Sequence, residues 1–128
     1  MDGIELEILW SNLISIVSDQ AKALQRTAFS PVVRETGDLA CAIFDRQGRM
    51  MAQARTGTPG HINSLANSGA ALVTAFPPDQ LDPGDFIIVD DPWLSAGHFF
   101  DITNFNPVFY DNRIVAYVGS NIQHTDIG

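Results

Sequence analysis

The chain has 128 residues, 45% of them hydrophobic, and a net charge of -8 from 15 acidic against 7 basic residues. That size and composition fit one globular domain. The acidic balance and the scattering of the cations (Lys22, Arg26, Arg34, Arg46, Arg49, Arg55, Arg113) argue against a nucleic-acid partner, whose phosphates call for clustered positive charge.

The first residues, Met1 to Glu5, lack the basic start of a signal peptide. No apolar stretch approaches the roughly 20 residues that span a bilayer. The expectation is a cytoplasmic protein with no membrane partner. From residue 4 to about 28, Leu6, Leu9, Leu13, Ile16 or Val17, Ala21 and Leu24 recur at helical steps. They predict one long amphipathic helix, with Glu5 and Glu7 suiting its dipole and Ser30-Pro31 stopping it. Scaffolding or subunit contact is the expected role of this helix. Asp38 reads as a turn residue, and Arg34 with Glu35 as a salt bridge. Residues 39–45 and 49–54 read as a β-hairpin around Arg46-Gln47-Gly48. Cys41, the only cysteine, lies in the apolar run Leu39–Phe44, so a buried, inert thiol is expected.

Gly57, Pro59 and Gly60 assign 55–63, including His61, to a loop. A second helix is predicted from about Ser64 to Phe76 and ends at Pro77-Pro78. Asp82-Pro83-Gly84-Asp85 is a turn signature and Phe86–Val89 a short strand. Residues 93–105 are predicted loop, with Trp93 packed inward. A second hairpin spans 106–110 and 113–121 around Asp111-Asn112, a pair that tolerates positive φ. Helices and strands without βαβ alternation give an α+β fold: a long N-terminal helix, β-hairpins and a second short helix, within a larger mixed domain.

Two polar groupings carry the candidate chemistry. His98-x-x-Asp101 flanks Phe99-Phe100, which would help exclude water; His124-x-Asp126 follows the last strand. Imidazole with carboxylate suits Mn, Fe or Zn. The same residues also admit a structural reading, in which His98 bonds Asp101 across a loop and His124 pairs with Asp126. His61 presents its ring to a ligand or stabilises its loop. The sequence holds no Walker-type phosphate loop, dinucleotide fingerprint, nucleophile elbow or Cys-x-x-Cys pair.

Taken in order, several stretches resemble a known family. They are Leu24–Pro31, Arg34-Glu35 with Asp38, Ala42–Asp45 with Gly48 and Ala52-Gln53, His61–Leu65, Asp91-Pro92-Trp93, Gly97–Thr103 and His124–Gly128. The order is similar to the N-terminal part of the hydantoinase B/oxoprolinase family, which includes N-methylhydantoinase B subunits and acetone carboxylase large subunits. The resemblance covers nearly the whole chain. It implies a truncated member, because the family's Asp-x-Gly-Gly stops here at its first Gly. It also implies a B-type subunit of a hetero-oligomer that works with an ATP-binding A-type subunit, so that ATP reaches the reaction through the partner. The substrate would be a cyclic amide to be hydrolysed or, alternatively, a ketone to be carboxylated; a third possibility is a non-catalytic assembly module. The family's His-x-x-Asp falls on His98 and Asp101. Its His-His-x-Asp falls on Gln123-His124-Thr125-Asp126, where Gln123 replaces the first His. The implied roles are a divalent metal on His98, Asp101 and His124, with Asp126 orienting His124, Asp91 as a fourth ligand or general base, and His61 on the substrate side.

Overall fold

The computed structural model describes residues 2–95 and 97–126. Ile127 and Gly128, the end of the last family stretch, lie outside the described residues. Helix α1 runs Gly3–Thr27. Its start is a reciprocal cap: the Asp2 carboxylate accepts from the Glu5 amide at 2.8 Å, and the Glu5 carboxylate accepts from the Asp2 amide at 2.9 Å. The C-terminal half of α1 is the covered part, burying Val17, Ser18 and Ala21. Ile4, Leu6, Ile8, Leu9 and Trp10 stay exposed. Beyond the expected stop, Val32–Thr36 form a π-helical turn closed by Gly37 at φ 69°. Arg34 and Glu35 do pair, at 3.6 Å on the surface.

Strands β1 (Leu39–Phe44), β2 (Met50–Gln53), β3 (Ile87–Val89), β4 (Asp101–Tyr110) and β5 (Arg113–Gln123) form one antiparallel sheet in the order β2-β1-β5-β4-β3. The two predicted hairpins are therefore joined, with β1 pairing β5. Asp111 and Asn112 take φ of 48° and 56°, the left-handed pair that matches the twist of a two-residue hairpin.

The sheet is the middle layer of three. Leu39, Cys41 and Ile43 pack with Val17, Ala21 and Val33 on the α1 side, while Ala40, Ala42 and Phe44 pack with Leu65 and Leu72 of helix α2 (Pro59–Ala75) on the other. Strand side chains alternate between faces, so β1, covered on both, is apolar without a break. Phe105 stacks on Tyr117 at 4.7 Å and meets Phe44 edge-on at 5.0 Å to close the α2-side core.

Two boundaries differ from the sequence reading, and both matter for the site. Helix α2 begins at Pro59, inside the expected loop, because proline at a first helical position loses no intrahelical hydrogen bond and already has helical φ. His61 is thereby placed on the first turn of a helix. Strand β4 begins at Asp101, so Asp101 and Thr103 belong to the sheet and not to a loop. Trp93 was expected to pack and is instead 94% exposed. Among the described residues, no helix is long and apolar enough to cross a membrane.

Candidate metal centre

One rim of the sheet collects the polar residues. β1 starts there at Leu39, β4 at Asp101 and α2 at Pro59, and β5 ends there at Gln123. Asp101 pairs with Gln123, and the Gln123 amide donates to the Asp38 carbonyl at 3.4 Å, which extends the ladder one residue ahead of β1. Asp101 points to the α2 side, as do Thr103 and Phe105 further along β4, and its side chain is fully buried.

The first turn of α2 lies over this rim. Thr58 precedes the helix in extended geometry but does not cap it; its hydroxyl donates to Asp38 Oδ1 at 2.6 Å. His61, 5% exposed, reaches both carboxylates: Nδ1 stands 3.3 Å from Asp38 Oδ1 and Nε2 stands 2.9 Å from Asp101 Oδ2. His98, from the loop before β4, brings Nε2 to 3.5 Å from the same Asp101 oxygen. The His61 and His98 rings are 5.9 Å apart, and one ligand atom from each of His61, His98 and Asp101 lies within 4.8 Å of the others.

The electrostatics follow from burial. Withdrawal from water pushes the Asp101 carboxyl above the usual carboxylate range, and the nearby His61 and His98 pull it back. Asp38 adds to the rise and His124 opposes it. Despite the short contacts, neither Asp101 oxygen accepts an aligned hydrogen bond from the described residues, and His61 Nδ1 likewise makes none. A buried carboxylate normally has donors, because an unpaired one is costly. Two imidazole nitrogens near one carboxylate oxygen without hydrogen-bond alignment fit ligands arranged around a cation. The donor set and the orphaned oxygens thus suit a divalent metal, and Asp38 stands where a carboxylate commonly orients a metal-bound imidazole.

The other sequence-predicted residues sit around this cluster. His124 and Asp126 line a cavity of about 310 Å³ with Asp90, Phe99, Phe100, Ile102 and Thr125. His124 is outside the tight trio, although its charge acts on Asp101. Its backbone amide donates to the Phe100 carbonyl at 2.7 Å, which ties the end of β5 to the His98 loop. Asp91 is exposed, and its carboxylate accepts from the Trp93 amide at 2.9 Å while its carbonyl holds Ser95. It shapes the turn ahead of His98. Phe99, 83% exposed, does not shield the cluster. From sequence, Asp38 is a turn residue and His61 a loop residue with a substrate-side role; the structure brings both against the Asp101 site. The Thr58-Pro59 step, an extended residue followed by a helix-starting proline, was the signal that could have put His61 on the helix.

Fold and site together define an α+β module carrying a two-histidine, one-carboxylate cluster at the sheet rim. Residues 2–128 match the family model for hydantoinase B/oxoprolinase, and the chain belongs to that family. It is 33% identical over 123 residues to a 5-oxoprolinase, PfmaA, of Pestalotiopsis fici, covering 96% of this chain and 9% of that relative. Among solved structures, nucleotide-free acetone carboxylase superposes with a TM-score of 0.82 at 21% identity, covering 95% of this chain and 16% of that one. The ATP-dependent caprolactamase of Pseudomonas jessenii gives 0.80 at 24% identity, covering 100% and 22%. These two likenesses are of fold. The chain spans less than a quarter of the length of each of these relatives.

Proposed function

We propose that this chain forms the metal-binding part of an ATP-dependent enzyme that opens cyclic amides, as a B-type subunit in a hetero-oligomer with an ATP-binding A-type partner. The observation that carries the reading is Asp101, fully buried, with His61 and His98 against one of its oxygens and, among the described residues, no aligned donor for either oxygen. His61, His98 and Asp101 would hold a divalent ion, Mn, Zn or Fe. His124 and Asp126 would line the neighbouring cavity, and Asp91 positions the loop that carries His98. When bound, such an ion would supply Lewis acidity to a substrate carbonyl. The residues do the rest. Asp38 fixes the orientation of His61, the buried Asp101 supplies negative charge where water is excluded, and His98 is the half-exposed member of the trio. The substrate class is supported by family membership and by the likeness to a 5-oxoprolinase and a caprolactamase, and ATP by the ATP dependence of the two enzymes of similar fold.

A carboxylase reading has one point in its favour, the fold shared with acetone carboxylase; the same centre could stabilise the enolate oxygen of a ketone. The exposed apolar half of α1 suits contact with other subunits in either case.

The test is metal content by mass spectrometry on the purified chain beside His61→Ala, His98→Ala and His124→Ala. Near-stoichiometric Mn, Zn or Fe, lost in the His61 and His98 variants, supports the centre as built here. A well-folded parent that takes up none of the three metals would refute it.

A further inference from the structure

Asp38, just ahead of β1, Gln123 of β5 and Asp101 of β4 form a row at the sheet rim, which places a carboxamide between the two carboxylates of the site. The register fixes this. Asp101 is directly opposite Gln123, as Thr103 is opposite Asn121 and Phe105 opposite Gly119. Directly opposed residues of an antiparallel pair share a face. That face is the one under α2, since Phe105 belongs to the α2-side core and Gly119 would place a Cβ against Phe44 and Leu65. On the other flank the Gln123 amide bonds the Asp38 carbonyl. His61 reaches from Asp38 at 3.3 Å to Asp101 at 2.9 Å, so its ring bridges the two ends of the row. Strands are about 4.8 Å apart, which leaves Gln123 as the near neighbour of both. Gln123 is half-buried, and its carboxamide makes no hydrogen bond to the described residues.

We infer that Gln123 reads the amide edge of the substrate, pairing its carboxamide with the C=O and N–H of a cyclic amide. This rests on the cyclic-amide reading above. A small ring forces its amide to be cis, which sets C=O and N–H side by side on one edge. A primary carboxamide offers its own C=O and syn N–H in the complementary order, so two parallel hydrogen bonds form at once. A linear trans amide shows these groups on opposite edges and can make only one. A ketone has no N–H to give and an N-methylated lactam has lost it. Gln123 therefore selects cyclic amides with a free N–H over linear amides, ketones and N-substituted rings, and it directs the carbonyl towards the His61–Asp101 side of the row.

The experiment uses the intact, zinc-loaded chain and compares δ-valerolactam with N-methyl-δ-valerolactam by ligand-observed NMR, beside Gln123→Leu and Gln123→Ala. Zinc content and circular dichroism are recorded for each. Wild type should favour the N–H lactam by about tenfold, the worth of one to two neutral hydrogen bonds. Both variants should bind the two lactams equally while keeping their zinc and fold. The same preference in either folded variant would overturn the inference alone. Loss of zinc in both would overturn it by making Gln123 a metal ligand. A wild type that holds zinc and binds neither lactam removes the cyclic-amide reading and this inference with it.

Discussion

His61 Nδ1 stands 3.3 Å from Asp38 Oδ1, while its other nitrogen faces Asp101. A carboxylate at that place favours the proton on Nδ1 and leaves the Nε2 lone pair for a cation. Asp38→Asn keeps the shape and an acceptor for the Thr58 hydroxyl but removes the charge. The expected outcome is a 10- to 100-fold loss of metal affinity, the usual cost of removing such a partner, with little change in thermal stability. Competition with a metal-sensitive dye measures it. Unchanged affinity would mean that Asp38 serves only to anchor Thr58.

Gly48 and Gly69 supply a test of the fold away from the site. A Cβ on Gly69 would stand 2.3 Å from the Gly48 carbonyl oxygen and 2.9 Å from the Phe44 ring; a Cβ on Gly48 would stand 2.3 Å from the Gly69 oxygen. Gly48 also has φ 75°. The β1–β2 turn thus docks on α2 backbone to backbone. Gly69→Ala should cost roughly 2 to 4 kcal/mol through overpacking. Gly48→Ala should cost at least as much, because strain adds to the clash. Urea unfolding reads both, and a loss below about 1 kcal/mol would show that the turn can lift away freely.

The parts of this structure legible in the sequence were those where local chemistry and burial agree. The α1 stripe, the Arg46–Gly48 turn and the Asp111-Asn112 hairpin are of that kind. The N-terminus of α2 was hidden because Gly57, Pro59 and Gly60 look like loop composition, whereas Pro59 is the first residue of the helix. Strand β4 was hidden for a functional reason. Its inward positions near the rim are Asp101 and Thr103, so the apolar alternation that marks a half-buried strand is missing where the site is built. His98 and Asp101 stood out through their spacing. His61 stood out too, as a substrate-side group, but its place against Asp101 did not, and neither did Asp38, since only the sheet register and the helix start bring these two to Asp101.

Asp45 provides a test by pH. Its carboxylate accepts from the Gln47 amide at 2.9 Å, the Arg49 amide at 2.9 Å and Arg49 Nε at 2.7 Å, closing the β1–β2 turn. Burial works to raise its pKa, but these bonds and the Arg49 charge together bring it below the ordinary carboxylate value. A depressed pKa in the folded state contributes stability that is present above the unfolded pKa and lost as pH falls through the folded one. The chain should therefore lose this contribution on acidification below about pH 4. The effect is modest because the Arg49 partner is exposed and its charge is screened by water. Asp45→Asn should be less stable than wild type at pH 7, with the gap narrowing at pH 3. A gap that is constant with pH would show that shape, not charge, holds the turn.

Cys41 gives the last test. It lies in β1 under α1, 1% exposed, and burial pushes its thiol from 9.0 up to about 12. The thiolate is the reactive form. At pH 8 the folded chain holds about a thousandfold less thiolate than an unfolded one, and α1 blocks access as well. A colorimetric disulfide reagent should leave the native chain unmodified over hours and titrate one thiol per chain in urea. The linkage has a definite sign. The contribution is fully present below pH 9, the unfolded value; between about pH 9 and 12 the unfolded chain gives up a proton that the folded chain keeps. Stability should then fall with a slope approaching 1.4 kcal/mol per pH unit from this group. Cys41→Ala, which removes the thiol and leaves a small cavity, should begin less stable and lose that part of the alkaline slope. Rapid labelling of the native wild type at pH 8 would instead mean that α1 separates from β1 often enough to admit reagent, and that the covered half of the helix is weakly held.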